Sequence, residues 1–187
     1  MKLFIETSLD DLIITKIENN IVSDFLHIEK LTKKSDEFFN KLNTVIKKED
    51  RKNLKAVYVT IGPGSFTGAR VGFLVARTLA QISKIKLYVA PSYELLKTQK
   101  KLLNQDWKKI VIKANKHNNY LIDLSFKKPK VSITNEIKEY DNLDFSLFKN
   151  NISLYLKSFK RVWNLNKASL LYFHEPQIGK VENKGDN

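Results

Sequence analysis

A chain of 187 residues is long enough for one sizeable domain or two small ones, and because it contains no cysteine, disulfides and thiolate metal sites are excluded. No apolar run approaches the roughly 20 residues that a membrane-spanning helix needs, and a charged residue comes too early for a signal peptide, so we expect a cytoplasmic protein without membrane contact. The formal net charge is +13, mostly from lysines scattered along the chain, which reflects either the codon bias of a skewed genome or a surface that contacts RNA.

The N-terminal residues predict one strand followed by a hairpin. Asn19 and Asn20 suit a two-residue hairpin turn, because asparagine tolerates the positive φ that a tight turn requires. We interpret the earlier link, at residues 7–11, as a solvated turn that carries two acids. The predicted strands are at residues 3–6, 12–18 and 21–28.

The segment that follows the strand at residues 21–28 predicts an amphipathic helix. Its apolar residues recur at helical spacing and cover an arc of ordinary width for a helix that lies on a sheet. In order around the helix, the arc contains Val45, Phe38, Leu42, Ile46 and Phe39.

A glycine-rich corner lies between a predicted strand at residues 56–61 and a predicted helix at residues 71–82. It holds four of the six glycines of the chain. Glycine at such a corner supplies positive φ angles and lets other backbone come close, so we expect a positive φ at Gly64. The corner residues are Gly62, Pro63, Gly64, Ser65, Thr67, Gly68 and Arg70.

Such a corner either binds an anion or is purely structural. Backbone N–H groups at a helix N-terminus attract phosphate. However, the segment lacks the Gly-Lys-Ser/Thr end of a Walker A loop, and its glycines are spaced one residue too far for a dinucleotide fingerprint. We therefore favour a structural corner in which Ser65 or Thr67 caps the helix.

The helix after the corner is apolar on two faces, and a helix of this kind must bury both. We expect the larger residues to face the core and the row of small residues to face outward. There, either the chain's own first helix or a second polypeptide would cover the row. The expected core stripe is Leu74, Val71, Ile82, Val75 and Leu79, and the opposite row is Ala69, Phe73, Ala76 and Ala80. The predicted partner interface consists of Phe39, Leu42, Ile46, Ala69, Phe73, Ala76, Arg77 and Ala80.

The remaining sequence predicts the end of a first lobe and a second, smaller one. A strand at residues 87–90 and a helix at residues 92–104, capped by Ser92, complete a first lobe of residues 1–104. We expect residues 105–187 to form a reduced second lobe. Its predicted strands are at residues 110–114, 120–126 and 131–134, with a turn at residues 115–119 between the first two.

The chain offers little for catalysis. Its three histidines, His27, His117 and His174, have no second histidine four residues away with which to share a metal. No Gly-x-Ser-x-Gly nucleophile elbow is present. We expect no catalytic site and no metal site, and we interpret each histidine as a surface residue.

The corner carries a family resemblance. Its string Gly-Pro-Gly-Ser-Phe-Thr-Gly-Ala-Arg-Val-Gly closely resembles the signature of the bacterial TsaB family, also called YeaZ. The resemblance implies an α/β, actin-like/RNase H-like (ASKHA) fold with a mixed five-stranded sheet, helices and a reduced second lobe. Two departures stand out: Glu6-Thr7-Ser8 replaces the usual Asp-Thr-Ser, and the His-x-x-x-His metal motif of the catalytic relatives is missing.

The resemblance also implies a function. TsaB proteins are catalytically inert subunits of the machinery that makes threonylcarbamoyladenosine at adenosine 37 of tRNA. They pair through two helices with a homologous catalytic TsaD-type subunit, or with a second copy of themselves. By this resemblance we expect a TsaD-type subunit and a TsaE-type ATPase as partners, and tRNA contacted only indirectly. We expect no cofactor on this chain alone, with ATP and metal on the partner subunits.

A second function stays open at this point. The chain would be a stand-alone enzyme of the actin-like class, an ATPase or kinase-like protein, with a nucleotide bound between its lobes. The nucleotide would contact residues 7–11 and 62–68.

Overall fold

In the computed structural model, which describes residues 1–31, 34–47, 49–171 and 173, helices pack on two sheets. The strands are β1 (Lys2–Glu6), β2 (Leu12–Glu18), β3 (Ile21–Ile28), β4 (Ala56–Thr60), β5 (Lys86–Ala90), β6 (Lys109–Lys113), β7 (Asn119–Asp123), β8 (Lys130–Thr134) and β9 (Lys160–Val162). The helices are α1 (Lys34–Val45), α2 (Phe66–Ile82), α3 (Ser92–Leu102), α4 (Phe145–Asn150) and α5 (Ile152–Leu156), with short 3-10 helices at Glu49–Asn53 and Leu165–Lys167.

The larger sheet is mixed, with the strand order β3-β2-β1-β4-β5-β9. Strands β1, β4 and β5 are parallel, whereas β2, β3 and β9 pair antiparallel with their neighbours. The five strands predicted for the first lobe are all in this sheet, so the predicted α/β fold class is confirmed, but the sheet has six strands and not the predicted five. The sixth strand, β9, comes from a segment in which the sequence indicates no element, and it pairs with the edge of β5.

The hairpins follow the sequence closely. Asn19 and Asn20 have φ angles of 49° and 62° in the turn between β2 and β3, as predicted. The smaller sheet is an antiparallel meander, β6-β7-β8, whose strands begin and end within a few residues of the predicted bounds.

The two faces of the larger sheet carry different layers. On one face, alternate residues of β1, β2 and β4 pack against α1 and α2. On the other face, Phe4 lies in one core with residues of α3, α4, α5 and the smaller sheet.

Among the described residues, no helix is both long enough and apolar enough to cross a membrane.

The C-terminal segment packs on the first sheet and not only on the second lobe. Phe4 of β1 contacts Phe148 and Phe159, with ring centroids 4.7 and 5.9 Å apart, and Phe148 contacts Tyr155 at 5.0 Å. Burial raises the pKa of the Tyr155 hydroxyl, which keeps it neutral in this core. The lobe boundary between residues 104 and 105 stays a prediction, but residues beyond 140 supply much of the core beneath β1.

The orientation of α2 differs from the prediction, although Val75 of the expected core stripe is buried as predicted. The small-residue row is buried in the isolated chain, with Ala76 at 0% exposure. Leu74 and Ile82, which we expected in the core, are 63% and 76% exposed. The row faces the sheet and therefore is not an outward-facing surface. The buried residues of the row are Ala69, Phe73, Ala76 and Ala80.

Close packing explains this orientation. The N-terminal half of α2 crosses directly over the end of β1 and the loop that follows, where Cβ atoms at Gly68 and Gly72 would collide with Thr7. The helix can approach this closely only through glycine and alanine. Leu74 and Ile82 consequently lie on the far side, whereas Phe73 and Val75 are buried beside the small residues.

Helix α3 also begins differently from the prediction. Pro91 is its N-cap and makes no side-chain capping bond, while Ser92 is its first residue. The Ser92 hydroxyl is fully buried and bonds to the Ser8 hydroxyl instead of a backbone N–H of the first turn.

Candidate functional site

The corner between β4 and α2 is held by its glycines and one serine. Gly62 and Gly64 have φ angles of +84° and +151°, as the glycine pattern predicts, and the Gly62–Pro63 peptide is cis. Ser65 is the N-cap, since its Oγ accepts a hydrogen bond from the Gly68 N–H at 3.2 Å. Thr67 is exposed. Of the two predicted caps, Ser65 is therefore the one observed.

The loop after β1 lies in the groove that these glycines leave open. A Cβ at Gly64 would collide with the carbonyl oxygen of Ser8, and a Cβ at Gly68 with that of Thr7. The Ser65 N–H donates to the Ser8 carbonyl at 2.6 Å, and the Thr7 hydroxyl donates to the Gly68 carbonyl at 2.7 Å. The glycines thus bring the backbone of another segment of the chain close to the helix N-terminus.

Three N–H groups around the start of α2, those of Ser65, Gly68 and Ala69, bond to protein acceptors. The Ser65 N–H donates to the Ser8 carbonyl, and the Gly68 N–H donates to the Ser65 hydroxyl. The Ala69 N–H donates to the Ser65 carbonyl at 2.9 Å. A phosphate at this helix N-terminus would have to compete with these acceptors. This geometry favours the structural interpretation over anion binding.

Glu6 organises the same loop from below. Its Oε1 accepts hydrogen bonds from the N–H of Ser8 at 2.5 Å, the N–H of Leu9 at 2.9 Å and the hydroxyl of Ser8 at 2.7 Å. The Ser8 hydroxyl also lies 2.5 Å from that of Ser92 and 3.1 Å from that of Thr60. These polar side chains are fully buried, so the predicted solvated turn is wrong for Thr7 and Ser8.

The family departure at position 6 therefore has a structural role here. The carboxylate serves as a cap for the loop, because buried N–H groups without acceptors would be costly. Its second oxygen, Oε2, is buried and has no hydrogen-bond partner among the described residues.

The two acids of the loop are partnered. Asp10 accepts hydrogen bonds from Lys113 of β6 at 3.0 Å and from the Tyr140 hydroxyl at 2.5 Å, which ties the loop to the smaller sheet and to the segment around residue 140. Burial opposes the charge of Lys113, but the hydrogen bond and charge of Asp10 outweigh it and raise the lysine pKa. The hydrogen bond to Asp10, with burial, likewise raises the pKa of Tyr140. Asp11 accepts from the Lys30 N–H at 3.0 Å.

The histidines do not come together. His27 lies 2.8 Å from Asp11 and packs on the ring of Phe145, so it is not a free surface residue. His117 is exposed in the turn between β6 and β7, and His174 lies outside the described residues. Within the described part of the chain, no three His, Cys, Asp or Glu side chains are placed to hold a metal ion.

A polar cleft of about 500 Å³ lies between the loop after β1 and the turn that follows β6. It is the place where a nucleotide would lie if the chain were an actin-like enzyme. Its polar and charged lining residues are Ser8, Asp10, Lys30, Ser65, Lys113, Asn115 and Lys116.

An apolar groove of about 320 Å³ lies between α1 and α2, on the outer surface of the same sheet. Phe39, at 59% exposure, forms one side, and Leu74 forms the other. We call it the α1–α2 groove. Its other lining residues are Leu3, Leu42, Ile46, Arg51, Leu54, Val75, Thr78, Leu79 and Ser83.

The predicted interface residues are therefore divided between groove and core. Phe39, Leu42 and Ile46 line the groove, although the last two are largely buried beneath it. Arg77 is partly exposed, and its guanidinium donates a hydrogen bond to the side-chain oxygen Oδ1 of Asn166 at 3.5 Å. Ala69, Phe73, Ala76 and Ala80 belong to the core of the chain and not to its surface.

Comparison with known proteins identifies the family. The family model described as "TsaD: tRNA N6-adenosine threonylcarbamoyltransferase" matches residues 22–122, more than half of the chain. The chain belongs to the TsaD family. The matched segment includes the corner, α2 and every lining residue of the α1–α2 groove except Leu3.

Two solved structures show the same fold. YeaZ from Pseudomonas aeruginosa superimposes with a TM-score of 0.55 and 12% identity, over 77% of this chain and 71% of that one. An uncharacterized protein with similarity to peptidase YeaZ from Pseudomonas aeruginosa gives a TM-score of 0.52 and 14% identity, over 76% and 70% of the two chains. The predicted YeaZ-like relationship is thus confirmed as a YeaZ-like fold within the TsaD family.

A curated relative comes from Mycoplasma pneumoniae (strain ATCC 29342 / M129 / Subtype 1). It is described as "Uncharacterized protein MG208 homolog" and is 35% identical over 77 residues. These residues are 41% of this chain, and the chain matches only 33% of the length of that relative.

Some residues of the site escape sequence reasoning. The Leu171 N–H donates to the Ile61 carbonyl at 2.8 Å, so the C-terminal segment reaches the corner. Tyr140, which bonds to Asp10, also lies in a segment without a predicted element. No local pattern marks either residue, because each contact joins segments far apart in the chain.

Proposed function

We propose that this chain is a non-catalytic partner subunit for threonylcarbamoyl transfer to adenosine 37 of tRNA. It would dock a homologous catalytic TsaD-type subunit on the α1–α2 groove, with a TsaE-type ATPase in the same complex. The observation that carries the proposal is the apolar, exposed groove on the two helices through which TsaB-type proteins pair.

The groove has the physical properties of a docking surface. Leu74 and Phe39 are more than half exposed on either side of it, and Ile82 is more exposed still at the end of α2. Burial of each such side chain stabilises a complex by about 1.5–3 kcal/mol. Soluble chains seldom leave large apolar side chains clustered in this way unless another surface covers them.

A helical partner fits this groove best. Two helices with an open furrow between them accept the side chains of facing helices, and the result is a bundle with both apolar faces buried. A homologous subunit offers the equivalent pair of helices. A second copy of this chain offers the same pair, so a homodimer is the competing assembly.

The corner supports a scaffold role. The space beside Gly64 and Gly68 is filled by the chain's own Thr7–Ser8 backbone, and the Glu6 carboxylate accepts hydrogen bonds from that loop. These groups are therefore engaged in holding the fold together. We propose that ATP and metal bind to the partner subunits.

A reconstitution tests the proposal. A TsaD-type subunit, a TsaE-type ATPase, threonylcarbamoyl adenylate and unmodified tRNA are incubated with and without this chain, and modified adenosine is measured. We expect modification only when the chain is present. Equal modification in its absence would refute the proposal.

The polar cleft beside the loop after β1 supports one alternative function, a stand-alone nucleotide-binding enzyme. Lys30, Lys113 and Lys116 line it beside two serines. ATP binding by the isolated chain distinguishes the two functions. Submillimolar affinity, or hydrolysis without a partner, would support the enzyme and contradict the scaffold.

A further inference from the structure

At the opposite end of the larger sheet from the corner lies a pocket of about 600 Å³. It opens where the parallel strands β4 and β5 begin, and we call it the lysine pocket. Four lysines line it, and none of its described lining residues is acidic. The lysines are Lys2, Lys55, Lys84 and Lys86.

The backbone holds these lysines together. The Lys86 N–H donates to the Lys55 carbonyl at 3.2 Å, and Lys84 has a φ of 51° in the turn after α2. Lys55, Lys84 and Lys86 are exposed, and in the described part of the chain none of them pairs with a carboxylate. A concentration of unpaired cations in one concave site attracts anions strongly.

Aromatic rings continue the pocket along the sheet. Tyr58 and Tyr88 line it and stack with centroids 4.5 Å apart and planes 6° from parallel. Arg161 is the partner of Tyr88 across β5 and β9, so both side chains lie on this face.

Trp163 is the outermost ring. It is 80% exposed, and the Arg161 guanidinium lies 3.7 Å from its centroid. Trp163 follows Val162, which pairs with Leu87, and therefore lies at the level of Lys86. The face of the indole that Arg161 does not cover offers a stacking surface.

From this arrangement we propose that the lysine pocket and Trp163 form a binding surface for single-stranded RNA. Phosphates would lie among the lysines, and a base would stack on the Trp163 indole. Lysines together with an exposed stacking ring are the combination by which proteins hold single strands. A paired duplex offers phosphates but no base face for the indole.

The location gives this surface a role. Leu54 and Ser83 line both the lysine pocket and the α1–α2 groove, so the two sites are neighbours. A strand held in the pocket would lie beside a subunit docked in the groove. If the proposed function holds, the RNA is the tRNA substrate and this chain contacts it directly, in contrast to the indirect contact that the family resemblance implies.

The test uses the isolated chain, so that it does not depend on docking. A labelled single-stranded RNA of about 12 nucleotides is titrated at low salt and followed by anisotropy. In a Trp107→Phe background, Trp163 is the remaining tryptophan, and its fluorescence reports stacking directly. We expect binding with quenching of Trp163, and weaker binding of the same sequence as a duplex.

Three variants locate the binding. The pair Lys84→Glu and Lys86→Glu should weaken binding at least about tenfold and lower the salt slope by about 2. The control pair Lys127→Glu and Lys128→Glu makes the same change in charge in the exposed turn between β7 and β8, and should change affinity less than about threefold. Trp163→Ala should weaken binding at least about fivefold without changing the salt slope.

Several results would overturn the proposal. One is an equal loss of affinity in the two lysine pairs, which would mean that only the net charge matters. Equal binding of single strand and duplex without quenching of Trp163 would have the same meaning. Equal quenching by a polyglutamate of similar length would assign the surface to an acidic protein segment. Because docking is not involved, these results leave the scaffold function untouched.

Discussion

The hydroxyl of Thr7 donates a hydrogen bond to the carbonyl of Gly68 at 2.7 Å, and it lies where a Cβ of Gly72 would be. This contact joins the loop after β1 to α2 across 61 residues of sequence. It shows why the corner motif extends to Gly72. The glycines make room for another part of the chain.

Gly68→Ala and Gly72→Ala should each destabilise the chain. In an ordinary helix this change stabilises by up to about 1 kcal/mol, because alanine has the higher helix propensity. Here the added methyl would collide with Thr7, and overpacking of this kind costs about 1–3 kcal/mol. Urea unfolding measures the sign. Thr78→Ala, on the exposed side of the same helix, is the control, and a gain of stability at Gly68 would refute the account.

Ala76→Glu should unfold the isolated chain. Ala76 is completely buried against the sheet, and an unpaired buried carboxylate costs several kcal/mol, a large share of the about 5–15 kcal/mol that stabilises a typical domain. Circular dichroism and thermal melting would show the loss. Leu74→Glu, two residues earlier on the exposed side, should leave the melting temperature nearly unchanged. A folded Ala76→Glu variant would mean that the orientation of α2 is wrong.

The orientation of α2 marks the limit of sequence reasoning for this fold. Strand positions and the hairpin turn follow from local patterns, since alternation and asparagine at positive φ require no knowledge of the rest of the chain. The choice of which face of α2 packs on the sheet does not follow from a local pattern, because hydrophobicity assigns Leu74 and Ile82 to the core. Only the close approach of the Thr7 loop, a contact between distant segments, shows that the small residues face inward.

The candidate site divides in the same way. The corner residues and the cap at Ser65 can be predicted from glycine and serine chemistry. The role of Glu6 as a loop cap and the pairing of β9 with β5 depend on tertiary contacts. A strand of three residues, Lys160–Val162, carries too short a pattern to be recognised from sequence.

Glu6→Ala should cost more stability than Glu6→Gln. Alanine leaves the buried N–H groups of Ser8 and Leu9 without their acceptor, at about 1–3 kcal/mol each, whereas glutamine keeps an acceptor oxygen at the same reach. Denaturant unfolding of the two variants measures the difference. Equal destabilisation would show that the charge of Glu6, and not its accepting oxygen, holds the loop.

The stability of the chain should fall at alkaline pH through the Asp10 cluster. The pKa of Lys113 is raised above 10.5 and that of Tyr140 above 10.0 in the folded chain. A raised pKa favours the protonated form, so the stabilisation is present below these values and is lost as pH rises above them. Wild type and Asp10→Asn should therefore differ in unfolding midpoint at about pH 8, and the difference should shrink as the pH rises through the raised pKa values of the folded chain. A difference that grows with pH would contradict this sign.

The affinity of a TsaD-type subunit for this chain tests the central claim most directly. We predict that Leu74→Glu and Phe39→Glu each weaken binding at least about a hundredfold while the chain stays folded, because a carboxylate in the apolar α1–α2 groove cannot be solvated once a helix covers it. Leu154→Glu, the same change at a leucine 41% exposed on α5, should bind like wild type. Binding of the Leu74→Glu chain with wild-type affinity would contradict the docking site.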